Sequence, residues 1–120
     1  MLNNAWYEWN EHHPLLVATN ILSPDCIHCL KTLPAGGDPP STSPDGDDQG
    51  WFDERHAAVV RYADAMTVGC VVSEALFEEI KRLFGQREVV EITATVAAYN
   101  CVSRFLVALD VGEMSDKQGH

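Results

Sequence analysis

Apolar residues along this chain recur at spacings of three and four, the period of a helix with one buried face, and nowhere in a sustained alternation. Asn3 or Asn4 is placed to cap a first helix on which Ala5 or Trp6, Trp9 and Leu16 keep that period. Pro14 lacks an amide donor and disfavours helical geometry at His13, so a kink or break is expected after the second histidine. Ser23-Pro24 supplies a cap and a first-turn proline, opening a short helix to about Leu33. Asp53 caps a third, roughly Glu54 to Thr67, with Val59, Val60, Ala63 and Met66 inward. Ser73 caps a fourth, Glu74 to Phe84, carrying Leu76, Phe77, Ile80 and Phe84, with Glu78 and Arg82 spaced for an ion pair and Gly85 as its stop. The last and longest runs from Glu88 to about Asp110. One stripe on it is Val89, Ile92, Val96, Tyr99, Val102, Leu106 and Leu109; beside it lie Val90, Ala94, Ala97, Cys101 and Phe105. So broad an apolar surface predicts central burial or burial shared with another subunit, and Ala97 and Ala98 permit close approach of a neighbouring helix.

Residues 34–50, PAGGDPPSTSPDGDDQG, break the pattern. Four prolines, four glycines and four aspartates with no large aliphatic residue bury too little apolar surface to offset ordering. This stretch is read as a flexible surface insert within a single domain spanning residues 1–112, followed by a polar tail, 113–120. No internal repeat is present.

Composition narrows the function. With 120 residues and 46% hydrophobic content, the chain is long enough for one modest core. Eighteen acidic against eight basic residues give a net charge of −10, which argues against a nucleic-acid partner and against an anionic membrane surface. No run of eighteen apolar residues occurs, and Met1-Leu2-Asn3-Asn4 does not open a secretory signal, so neither a membrane span nor a signal peptide is expected. Cysteines at 26, 29, 70 and 101 do not form a secreted disulfide framework, and the cytoplasm is the expected compartment.

Three groupings carry chemistry. Glu8 and His12 lie one helical turn apart between Trp6 and Trp9. In an apolar setting such a couple transfers protons near neutral pH; on an open surface it only supports its helix. Cys26-Ile27-His28-Cys29 is a CxxC at a helix start, a redox dithiol or a pair of ordinary half-buried thiols; no second ligand pair follows at a zinc spacing, and no metal is expected. Asn100 and Arg104 stand one turn apart on the otherwise apolar last helix. Arg104 is suited to a substrate carboxylate or to an acid at the core edge such as Glu91 or Asp64.

Taken in order, YEWNEHHP, the Ser-Pro helix, FDERHAAVVRYADAMT, VSEALFEEIKRLFG and EVVEITATVAAYNCVSRFLVALDV resemble the carboxymuconolactone decarboxylase-like family, related to the alkylhydroperoxidase D type. The resemblance spans nearly everything except residues 34–50 and the tail. It implies an all-α, alkylhydroperoxidase D-like fold of about five helices, completed by assembly into trimers or hexamers, with the site near subunit contacts. The peroxidatic branch carries CxxCxxxH on its active helix; with His12 on that histidine, Glu8 and Ala5 replace the cysteines, and Cys26 and Cys29 lie on the next helix. The resemblance therefore points to the decarboxylase-like branch and cofactor-free acid/base chemistry on a small carboxylated lactone or organic acid. His12 is then the acid/base and Glu8 its orienting partner, with Trp9, Asn100 and Arg104 binding substrate. Against a net charge of −10, an anionic substrate needs local positive charge, for which Arg104, Arg61 and protonated His12 are candidates. Two rivals stand beside it: peroxiredoxin-like antioxidant activity through Cys26 and Cys29, and a non-catalytic helical assembly protein. The second rival is suggested by the family's additional helices ahead of the Tyr-Glu-Trp-x-x-His element.

Overall fold

Short polar side chains start most of the helices. In the computed structural model, which describes residues 6–33, 38–40, 46 and 50–110, with side chains from His12 onward in the first helix, five helices form. They are α1 (Trp6–Ala18), α2 (Pro24–Thr32), α3 (Glu54–Val68), α4 (Glu74–Leu83) and α5 (Gln86–Ala108), and no strand occurs among the described residues. The expected all-α class holds. Ser23 Oγ accepts from the Cys26 N–H at 3.2 Å, Asp53 Oδ1 from His56 at 2.7 Å, and Ser73 Oγ from Leu76 at 3.2 Å. Each such cap satisfies an orphan amide and contributes about 1 kcal/mol. At α5 the Glu88 carboxylate reaches back to accept from the Gly85 N–H at 3.2 Å.

Pro14 does not end its helix. α1 continues through it to Ala18 and closes at Asn20, which takes the left-handed conformation (φ 56°) that asparagine tolerates. Only one intrahelical bond is lost to the missing donor, and the helix needs just four more residues before its end. The proposed cap at Asn3 or Asn4 lies outside the described residues, as do the 113–120 tail and most of the 34–50 insert.

Two buried clusters hold the fold. The first joins α2 to α3: Cys26, Trp51 and Phe52 are buried together, with Leu22, Cys29, Leu30, Ala57 and Val60 packed around them. Trp51 Nε1 donates to the Pro40 carbonyl at 3.0 Å, and the Ser23 N–H donates to the Gly50 carbonyl at 2.7 Å. Gly50 sits at φ 73°, and a Cβ there would fall 2.9 Å from the Ser23 nitrogen, so the turn requires glycine.

The second cluster joins α3, α4 and α5 through Ala58, Tyr62 and Ile80, with Met66, Val72, Leu76, Leu83, Phe84, Val89 and Ile92 around them. Tyr62 and Ala58, rather than the expected Val59 and Ala63, are the innermost residues of α3. The Tyr62 hydroxyl lies 2.8 Å from Thr93 Oγ1, and Thr93 in turn donates to the Val89 carbonyl at 2.7 Å. Because threonine has one hydroxyl hydrogen, the phenol is the donor to Thr93.

The expected Glu78–Arg82 pair is absent: Arg82 bridges to Glu54 on α3 instead, while Glu78 pairs with Lys81. Arg55–Glu88 and Arg61–Glu79 add further ties between α3 and its neighbours. Nor is α5 centrally buried in the single chain. Val90, Tyr99, Val102, Phe105 and Leu109 are all exposed.

Candidate functional site

Asn100 and Arg104 are neighbours on α5 because residues four apart share a helix face. The structure brings both to the last turn of α3. Asn100 Nδ2 donates to Thr67 Oγ1 at 2.8 Å and to the Val96 carbonyl at 3.1 Å; Arg104 Nη2 donates to the Thr67 carbonyl at 3.1 Å. Arg104 meets this carbonyl, not Glu91, which pairs with Arg87 at 2.9 Å. α3 has no basic residue in its own last turn, so the guanidinium supplies from α5 the positive charge that favours a helix C-terminus.

These residues border a cleft of about 380 Å³. Met66, Val72 and Ala97 form its apolar walls; Asn100, Arg104 and the thiols of Cys70 and Cys101 are its polar lining. Met66 and Val72 also pack on the second buried cluster, so the cleft wall is continuous with the core. Both amide hydrogens of Asn100 have acceptors on α3 and α5. Asn100 thus fixes the cleft wall, and Arg104, exposed and with donor groups beyond its Thr67 contact, is the group able to hold an anion.

His12 is elsewhere. Its Nε2 lies 3.3 Å from the Tyr99 hydroxyl, with the rings 5.6 Å apart and nearly perpendicular at 81°. A phenol donating here leaves the histidine proton on Nδ1. At 100° per residue, Tyr99 projects about 140° around α5 from Arg104 and about 160° from Cys101. Imidazole and guanidinium therefore flank opposite sides of one helix. The side chains of Glu8 and Trp9 lie outside the described residues.

Comparison with protein-family models, curated proteins and solved structures returns no match. The motifs and this geometry are the basis for any assignment.

The remaining candidates separate clearly. Cys26 is fully buried against Trp51 and Phe52, and burial, followed by the neighbouring Cys29, pushes its thiol up to about 11. A thiol so protonated is a poor nucleophile, which weighs against Cys26 as the attacking thiol of a redox pair. Arg61 pairs with Glu79 and borders a different cleft alongside Asp38 and Asp64, which removes it as an anchor for an anionic substrate. Among the described residues no three His, Cys, Asp or Glu side chains converge to form a metal-ligating set. No helix among them is long and apolar enough to cross a membrane. Sequence spacing did not reveal Tyr99 as the partner of His12, Thr67 as the receptor for two α5 side chains, or Cys70 and Cys101 as neighbours on one cleft. Each pairing is long-range, and only the polar Thr67 near the end of an otherwise apolar turn was a visible hint.

Proposed function

We propose that this protein is a cofactor-free, carboxymuconolactone decarboxylase-like enzyme, acting by proton transfer on a small carboxylated lactone or organic acid. Arg104 on the lining of a partly apolar cleft carries the reading. It is a cation beside a volume suited to a small molecule, on a chain whose net charge is −10. In this reading Arg104 receives the carboxylate, Asn100 holds the wall, and Met66, Val72 and Ala97 reduce the polarity around the reacting carbon. His12 delivers or removes the proton, oriented by Tyr99 and, on the resemblance of the Tyr-Glu-Trp-x-x-His element, by Glu8 with Trp9 as cover.

The positions of His12, on α1, and Arg104 on opposite sides of α5 give assembly a catalytic purpose. Within one protomer the imidazole faces away from the cleft; a homo-oligomer, a trimer or hexamer by resemblance, lets His12 of one copy meet the cleft of another. Tyr99, Val102 and Leu109, exposed on the flank that bears His12, provide apolar surface for that contact. The cysteine spacing is the reason for proposing the cytoplasm as its location.

The test is carbon dioxide release from a carboxylated γ-lactone, followed together with sedimentation. Arg104→Ala is expected to raise KM by about tenfold or more, the value of one lost charged hydrogen bond, with a smaller change in kcat. His12→Ala is expected to lower kcat with KM nearly unchanged. A monomeric protein, or a carboxylate affinity indifferent to Arg104, overturns the proposal.

A further inference from the structure

We propose that Cys70 and Cys101 form a redox pair across the Arg104 cleft, oxidised to an intrachain disulfide by a small carboxylated disulfide that Arg104 anchors. Both thiols are free and exposed, and both line the same cleft, whereas Cys26 is buried and Cys29 half-buried. The juxtaposition follows from the clamp on Thr67. Asn100 and Arg104 hold the last turn of α3 against one turn of α5; Cys70 lies three residues beyond Thr67, and Cys101 lies between the two clamping residues. The short link from Gly69 to Ser73 must then deliver Cys70 beside that same turn. Cys70 holds φ at 55°, a left-handed conformation uncommon outside glycine, asparagine and aspartate. Such strain persists where the surroundings impose it and is concentrated at functional positions. Arg104 lies one helical turn beyond Cys101, so a carboxylate held by the guanidinium places its sulfurs along the wall that carries the thiol.

The chemistry is thiol–disulfide exchange. Cys101 loses its proton and its sulfur attacks one sulfur of the small disulfide. That S–S bond breaks, a mixed disulfide forms on Cys101, and the first small thiolate leaves and takes up a proton. The Cys70 sulfur, deprotonated in its turn, attacks the Cys101 sulfur and expels the second small thiolate, which is protonated likewise. Two protein thiols are oxidised and one small disulfide is reduced to two thiols. A Cys70–Cys101 bond draws the α3–α4 link onto α5 and closes the cleft; an excess of small thiol reverses it.

The choice of a carboxylated partner rests on the anion-holding role proposed above for Arg104; the pairing of the thiols does not. The full-length chain is treated with dithiodiglycolate or with the cationic cystamine, and the products are read by intact mass and peptide mapping. The expected product has lost two hydrogens and yields a Cys70–Cys101 linked peptide. Cys70→Ser is expected to stop at a mixed disulfide on Cys101. Dithiodiglycolate is expected to react faster than cystamine despite the net charge of −10, and Arg104→Gln to slow only dithiodiglycolate, by about tenfold. This variant leaves the Asn100 bond to Thr67 Oγ1 untouched, so α3 stays tied to α5 through it. Separate adducts that never resolve to the 70–101 link, or a link to Cys26 or Cys29, overturn the pair, even where the Arg104 effect persists. A 70–101 link formed at the same rate from both disulfides and in Arg104→Gln overturns the anchoring role, and with it the carboxylate reading of the cleft.

Discussion

The two buried clusters do the same physical work with different materials. The α3–α4–α5 cluster is assembled from helix faces: Ala58 and Tyr62 are four apart on α3, and Ile80 answers them from α4. The α2–α3 cluster depends on two aromatic residues outside any helix, Trp51 and Phe52, which are positioned by a glycine turn and by the bond from Trp51 to Pro40. Helix-built packing draws on regular spacing and spreads its contribution over many residues. Loop-built packing concentrates it in few side chains and in one backbone conformation. The cleft is walled by the first kind, while the second fixes α2 and the buried Cys26.

Removal of one large buried side chain from each cluster separates them most strongly. Trp51→Ala is expected to cost about 4 kcal/mol and Ile80→Ala about 3 kcal/mol in denaturant unfolding. Amide exchange provides the contrast: Trp51→Ala should release α2 while α4 and α5 stay protected, whereas Ile80→Ala should loosen α3, α4 and α5 together. Equal loss of protection everywhere in both variants would mean that the clusters form one cooperative unit. Next comes Gly50→Ala, expected to cost about 2 kcal/mol because the left-handed turn and the nearby Ser23 nitrogen both oppose a side chain. It should mimic Trp51→Ala in its exchange pattern.

Within the helix-built cluster, the Tyr62–Thr93–Val89 chain is directional. Thr93→Val leaves a buried phenol hydroxyl without its acceptor and should cost about 2 kcal/mol, while Tyr62→Phe, which strands no donor, should cost about 1 kcal/mol. Reversal of that order in thermal or denaturant melts would mean that Thr93 is the donor.

The smallest effect is one of pH. The His56 backbone N–H on the Asp53 carboxylate holds that group below its ordinary range, helped by the His56 ring. The folded state binds its proton less readily than the unfolded chain. Its contribution is therefore complete above the usual aspartate range and is lost as pH falls through the lowered folded value. Melts at descending pH should show a slope that Asp53→Asn, which keeps the cap, reduces. An unchanged slope in Asp53→Asn would assign the acid sensitivity to other carboxylates.

Local chemistry was legible in the sequence, and long-range competition was not. Ser23-Pro24, Asp53 and Ser73 marked three helix starts correctly because a cap acts over three residues. The break that Pro14 could have caused does not occur: its local penalty is real, yet helix on both sides outweighs it. The Glu78–Arg82 spacing was sound, but a better-placed Glu54 on another helix took the arginine. On α5 the broad apolar surface was evident, but its division into a core side, a cleft side and an exposed side depends on where α3 and α4 lie. Asn100 and Arg104 were identifiable as a unit since they share one helix and do border one cleft. His12 and Tyr99 are 87 positions apart, and no periodicity relates them.

Residues 41–49 of the insert lie between two fixed points. Pro40 is held by the Trp51 indole, and Gly50 is joined to Ser23 at the threshold of α2. A segment fastened at departure and return can lengthen or shorten with little thermodynamic consequence, about 0.6 kcal/mol for each doubling of its span. The 41–49 stretch is accordingly the natural place to graft an epitope, a label or a second domain.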